Sequence, residues 1–129
     1  MTIDEATDIV SRYSFEEHLS EDEEFLLAEA LTYMIEHDPE ARDIWAYNLA
    51  SYYDKIGEYD LADKYFNICL ESNNIVAYLG LGDLYMHQKD YDRAMAYYQE
   101  AKDHHLYQAD GRIRSLKRKM GFAKWRGWK

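Results

Sequence analysis

At 129 residues and 15.4 kDa, with 47% hydrophobic and 31% charged residues, the chain has the size and composition of one folded domain rather than a disordered or fibrous polymer. One proline and six glycines leave no room for a Pro/Gly-rich linker, and the single cysteine, Cys69, excludes an internal disulfide. The net charge of −10 is unevenly distributed: residues 1–40 carry 13 acids against one Arg, residues 41–109 carry 11 against six bases, and residues 110–129 carry one against eight. An acidic body with a basic tail is a polarity that governs partner choice and encounter rate more than fold.

In chain order, Thr2-Ile3-Asp4-Glu5 opens a first short helix with Ile9, Val10 and Tyr13 as its apolar face. Ser20-Glu21-Asp22-Glu23 is a capping-box pattern that opens a second helix, running to about His37. Asp38-Pro39 then reads as a cap followed by proline at the first helical position, and helical spacing continues to about Ile56. Gly57 suits the left-handed residue just beyond a helix end. A further helix starts near Asp60 and stops before Ser72-Asn73-Asn74. Two more follow at about 75–88 and 91–104, with Asp90-Tyr91-Asp92 as the turn between them, and a last one runs from 107 to Gly121. No stretch alternates as a strand does.

Residues 46–69 repeat as residues 78–101, 32 positions on. Leu49 falls on Leu81, Ala50 on Gly82, Tyr53 on Tyr85, Tyr59 on Tyr91, Asp60 on Asp92, Ala62 on Ala94, Tyr65 on Tyr97, Phe66 on Tyr98 and Cys69 on Ala101; six of these nine pairs are identical. At 100° per residue, Ala46, Leu49, Ala50 and Tyr53 share one side of their helix, as do Tyr78, Leu81, Gly82 and Tyr85. The small residues Ala50, Gly82, Ala62 and Ala94 allow paired helices to approach closely, and the rings of Tyr53, Phe66, Tyr85 and Tyr98 fill the layers between them. A hairpin of this kind cannot bury its apolar face alone, so stacking is expected.

This pattern resembles the tetratricopeptide repeat, with the short Sel1-like repeat as the near alternative. The first copy carries it as Ala46, Leu49-Ala50, Tyr53, Gly57, Tyr59, Ala62, Phe66 and Cys69; the second as Tyr78, Leu81-Gly82, Tyr85, Lys89, Tyr91, Ala94, Tyr98 and Ala101. The period of 32 is shorter than the family's usual ~34, and neither copy ends in the usual proline. The resemblance implies an all-α fold, an α–α superhelix: acidic N-terminal helices over 1–40, repeats at 41–74 and 75–106, a capping helix at 107–121 and a basic aromatic tail at 122–129. It also implies a concave groove that holds extended peptides.

Opposite the core face, the first helix of copy one carries Ile44, Tyr47, Asn48, Ser51, Asp54 and Lys55, and that of copy two carries Val76, Leu79, Asp83, Met86 and His87. A merely solvated face would be almost wholly polar, whereas Ile44, Tyr47, Val76, Leu79 and Met86 form an apolar strip with a polar rim. Two readings stay open: a partner groove, with Asp54, Lys55, Asp83 and His87 setting orientation, or packing between neighbouring repeats and self-association. The family's peptide-carboxylate clamp has only Asn48 and Lys55 as counterparts here.

The basic tail gathers Arg112, Arg114, Lys117, Arg118, Lys119, Lys124, Arg126 and Lys129 with Phe122, Trp125 and Trp128. Basic residues interleaved with aromatics can hold nucleic acid, an anionic membrane surface or an acidic protein partner, another copy's N-terminus among them, and the acidic body would repel a nucleic-acid backbone. The plainer reading is a cap: Ile113, Leu116 and Met120 share a face that would close the repeats, with Phe122 and Trp125 tucked beneath.

Catalytic and metal chemistry do not assemble. Gly80-Leu81-Gly82 lies within a helical pattern with no strand before it, unlike a phosphate-binding loop. Cys69 takes a small-residue core position, His104 and His105 diverge by ~100° on a helix, and His18, His37 and His87 are scattered. The run Glu21–Glu24 is charge at a helix N-terminus. The expectation is a cytoplasmic, non-enzymatic protein without cofactor that binds a protein or peptide partner. Self-association of its polarised ends is a further expectation, and an electrostatic adaptor working through the tail is the alternative.

Overall fold

The computed structural model describes residues 1–125 and, within these, the side chains of residues 1–121. Seven α-helices and one short 3-10 turn account for most of the described residues, an all-α helical-repeat fold in which consecutive helices pair within each compact unit. The chain forms two compact units that meet in sequence at Asn73 and Asn74.

The first unit holds α1 (Ile3–Tyr13), α2 (Glu21–His37), a 3-10 turn (Pro39–Ala41), α3 (Arg42–Lys55) and α4 (Tyr59–Glu71). Thr2 caps α1 by accepting the Glu5 amide at 3.1 Å, and Ala6 and Val10, one turn apart, are its buried residues. The capping box of α2 closes in both directions: Ser20 Oγ accepts the Glu23 amide at 3.2 Å, and Glu23 Oε1 accepts the Ser20 amide at 3.0 Å. Hydrogen bonding of the carboxylate to the Ser20 backbone amide and, secondarily, to the Ser20 side chain holds the Glu23 carboxyl below its ordinary range. A folded-state pKa below the unfolded one adds stability above that unfolded value and loses it as pH falls through the folded value. Ser20→Ala is expected to lower stability by about 1 kcal/mol and to return Glu23 towards an ordinary carboxylate, checked by urea denaturation and by an NMR titration of its side chain.

Past the first turn, Leu27, Ala30, Leu31, Met34 and Ile35 of α2 are buried at helical spacing. The corner into α3 is tied by side chains, Trp45 Nε1 donating to Asp38 Oδ2 at 3.0 Å and Arg42 Nε to the Ile35 carbonyl at 3.1 Å. Pro39 therefore opens a 3-10 turn rather than the helix itself, and Asp38 caps the Trp45 indole rather than a backbone amide. Ala46, Leu49 and Ala50 of α3 and Ala62, Phe66 and Cys69 of α4 are buried, and Tyr53 stacks on Tyr65 with ring centres 5.8 Å apart. Between the two helices Gly57 adopts the left-handed φ of 84°.

The second unit holds α5 (Ala77–His87), α6 (Tyr91–Asp103) and α7 (Gln108–Trp125). Its core gathers Leu79 of α5, Ala94, Tyr98 and Ala101 of α6, and Ala109, Ile113, Leu116 and Met120 of α7. Asp90 caps α6, its Oδ1 accepting the Arg93 amide at 3.3 Å. Tyr85 stacks on Tyr97 at 5.6 Å, repeating the Tyr53–Tyr65 pair 32 residues on. The left-handed backbone repeats as well, Lys89 (φ 61°) matching Gly57 and His105 (φ 65°) matching Asn73 (φ 63°). Gly121, expected to end the last helix, is instead an interior position of it. A Cβ there would meet no neighbour within 4 Å, and the ~1 kcal/mol by which glycine weakens a helix is small beside the burial of Ile113, Leu116 and Met120. The expected tuck of Phe122 and Trp125 lies outside the described side chains, and residues 126–129 lie outside the described residues.

Candidate functional site

The first unit contains a cleft of about 440 Å³ between the end of α1, the α1–α2 connection, and α2 and α3. Three of the predicted recognition residues, Asn48, Ser51 and Lys55, line it from α3 and are exposed. Trp45 and Tyr52 join them from the same helix and Ile56 from the residue that ends it, at spacings that continue one helical stripe. The opposite wall is Tyr13, Phe15, Glu16 and Glu17, with Phe15 92% exposed, and Glu24, Leu27 and Leu31 of α2 form the rest. Burial, and secondarily the Glu24 carboxylate, push the Tyr52 phenol above its ordinary pKa, so at neutral pH it is a hydroxyl able to donate. Three carboxylates and one ammonium thus surround aromatic walls, a setting that can hold a cationic side chain by ion pairing and by contact with ring faces.

Of the other α3 positions, Ile44 is 52% exposed, while Asp54 is half-buried near the helix end. Tyr47 is half-buried and meets Phe66 of α4 edge-on at 5.4 Å, so part of its ring serves the α3–α4 hairpin.

On α5, Val76 and His87 are exposed, but Leu79 is 3% exposed and belongs to the core of the second unit. This corrects its placement opposite the core. Leu79, Gly80, Leu81, Gly82 and Leu84 of α5 are all buried, nearly its whole circumference, and Leu79 is buried because α7 joins α5 and α6 in one core. Met86 is half-buried against the same core, its sulfur 4.0 Å from the Tyr98 hydroxyl.

Asp83 has an internal role. Its Oδ1 accepts the Tyr98 hydroxyl of α6 and, at 3.0 Å, Nε of Arg112 from α7, and its Oδ2 accepts from Arg112 Nη2 at 3.2 Å. One carboxylate on α5 therefore joins all three helices of its unit, and its oxygens are occupied in the resting protein. Arg112, which the charge pattern groups with an electrostatic tail, is committed to the same tie; Arg114, Lys117, Arg118 and Lys119 are exposed, Arg118 donating to Ser115 Oγ at 3.3 Å, and Lys124, Arg126 and Lys129 fall outside the described side chains.

Sequence reasoning misses Trp45, Tyr52 and the α1–α2 connection. Trp45, one turn before Asn48, and Tyr52, between Asn48 and Lys55, fall on the same stripe and can be found from it; the connection cannot, since nothing local says that residues 13–19 fold back towards α3. Cys69 is buried, and burial, then the nearby Asp43 carboxylate, push its thiol up to about 11. It stays protonated at neutral pH, a packing residue rather than a nucleophile. Among the described residues no three His, Cys, Asp or Glu side chains gather as a metal site would require, and no helix is long and apolar enough to cross a membrane.

The tetratricopeptide-repeat family pattern matches residues 46–75 and again residues 75–104. No curated protein matches the chain significantly. The first matched stretch takes in most of α3 and all of α4, the second all of α5 and α6, so each is one helical hairpin with its small-residue contacts and paired tyrosines in register. Residues 46–104 thus carry two hairpins that match the tetratricopeptide repeat.

Proposed function

We propose that this protein is a non-catalytic interaction module that holds a polypeptide partner against the exposed faces of its repeat helices, with the cleft at Asn48, Ser51 and Lys55 as the principal contact. Tetratricopeptide repeats generally mediate protein–protein interaction. The observation that carries the reading here is the cleft itself: a recess with aromatic walls and a polar rim, lined by predicted partner-facing residues of α3. Trp45 and Tyr52 would supply apolar contact area, and Ser51, Asn48 and Lys55 would fix register through hydrogen bonds. Ile44 and, on α5, Val76 and His87 extend the exposed surface available to a partner. The reading calls on no cofactor, metal, nucleic acid or membrane, and the expected site of action is the cytoplasm.

A photo-crosslinking residue placed at Ser51 and, as control, at the exposed Lys64 of α4 tests it in the native host. Ser51 is expected to yield a discrete protein adduct that Asn48→Arg weakens by roughly tenfold or more, the effect of losing one strong contact. Equal labelling from both positions, or indifference to Asn48→Arg, would reject the cleft as the contact.

A further inference from the structure

The rim of the cleft is acidic, with Glu16 and Glu17 on the α1–α2 connection and Glu24 at the start of α2, against Lys55 alone. It lies in the part of the chain where residues 1–40 carry 13 acids and one Arg. Its walls are aromatic, and Phe15, one of its lining residues, is almost wholly exposed, a ring open to a partner. The complement of such a site is a short segment that alternates cations with aromatic rings and carries no acid. Residues 122–129, Phe-Ala-Lys-Trp-Arg-Gly-Trp-Lys, are that segment: three bases, three aromatic residues and no carboxylate side chain.

We infer that the cleft is the docking site for residues 122–129 of a second copy of this chain, so that the protein assembles head to tail through an acidic aromatic recess and a basic aromatic segment. The inference rests on the cleft as a recognition site and names its occupant. A cleft of about 440 Å³ holds one or two side chains of the segment; the rest would lie along the rim, where Lys124, Arg126 and Lys129 can reach the carboxylates. The contact is heterologous, one surface meeting a different one, and so adds copies in a row unless it closes into a ring. Because Glu16 and Glu17 are exposed and Glu24 is half-buried, attraction between the rim and the segment is screened by salt.

Complementation between two full-length variants tests this. Glu16→Lys/Glu17→Lys reverses the rim on an exposed connection, and Lys124→Glu/Arg126→Glu reverses the segment; circular dichroism checks that both retain helix content. Wild-type chain is expected to sediment as oligomers at low salt, with association weakened roughly tenfold or more between ~20 mM and ~0.3 M salt. Each variant alone is expected to be monomeric, and the equimolar mixture to associate again, since the basic segment of one meets the acidic rim of the other. Wild-type chain that stays monomeric at low salt and millimolar concentration overturns the inference, as does oligomerisation of both variants alone or a mixture that stays monomeric. A monomeric chain that still crosslinks another protein from Ser51 removes this occupant and leaves the recognition reading intact; a monomeric chain with no adduct removes both.

Discussion

Gly82→Ala is expected to destabilise the protein by about 2–3 kcal/mol, against the ~1 kcal/mol of stabilisation that helix propensity alone would assign to it. Gly82 lies within α5, and a Cβ there would fall inside the contact distance of the Tyr98 ring. Tyr98 is fully buried and cannot retreat: its hydroxyl is held by Asp83, and Ala94 and Ala101 flank it on its own helix. The first repeat has Ala50 and Phe66 at the equivalent positions, both buried. Gly82→Ala/Tyr98→Phe copies that pair, and without its hydroxyl tie the ring is free to shift. The two changes are therefore expected to be non-additive, the double variant recovering about 1 kcal/mol relative to the sum of the singles. Urea denaturation of all three, compared at unchanged m-value, measures it. A more stable Gly82→Ala chain would mean that α5 and α6 can move apart at this contact at little cost.

Asp83→Ala is expected to cost about 2–3 kcal/mol and Arg112→Ala about 1–2 kcal/mol, with the double variant little worse than Asp83→Ala alone. The side chains of Asp83 and Arg112 are 29% and 37% exposed, so solvent screening keeps the ion pair itself modest; the larger effect at Asp83 comes from also stranding the buried Tyr98 hydroxyl. Arg112→Lys is not expected to rescue, because an ammonium cannot reproduce the two-nitrogen fork that meets both carboxylate oxygens. Hydrogen exchange separates this from a general loss of stability: in Arg112→Ala the amides of α7 should lose protection before those of α6. Uniform loss across the second unit would show that Asp83 does not act as the specific tie to α7.

Features decided locally are legible in the amino-acid sequence, and those decided by distant neighbours are not. The capping box at Ser20 and Glu23, the left-handed Gly57 and the 32-residue register are readable because each is settled within a few residues or by direct repetition. The close approach at Gly82 is readable too, since a residue without Cβ opposite a large ring leaves room for a helix to come near. Leu79 and Asp83 defeat the same logic. Helical spacing says which residues share a face, not how many neighbours cover the helix, and α7 joins α5 and α6 in one core. Gly121 reads as a stop because glycine is common just past helix ends, but packing of the preceding turns carries α7 through it. The cleft is half visible: the α3 stripe follows from spacing, while the wall supplied by residues 13–19 depends on how the connection folds.

Ser51 and Asp83 occupy equivalent positions 32 residues apart, yet one lines an open recess and the other is fastened to a neighbouring helix. A duplicated position is thus free to change trade: the copy flanked by a further helix becomes a fastener, and the other stays open at the surface.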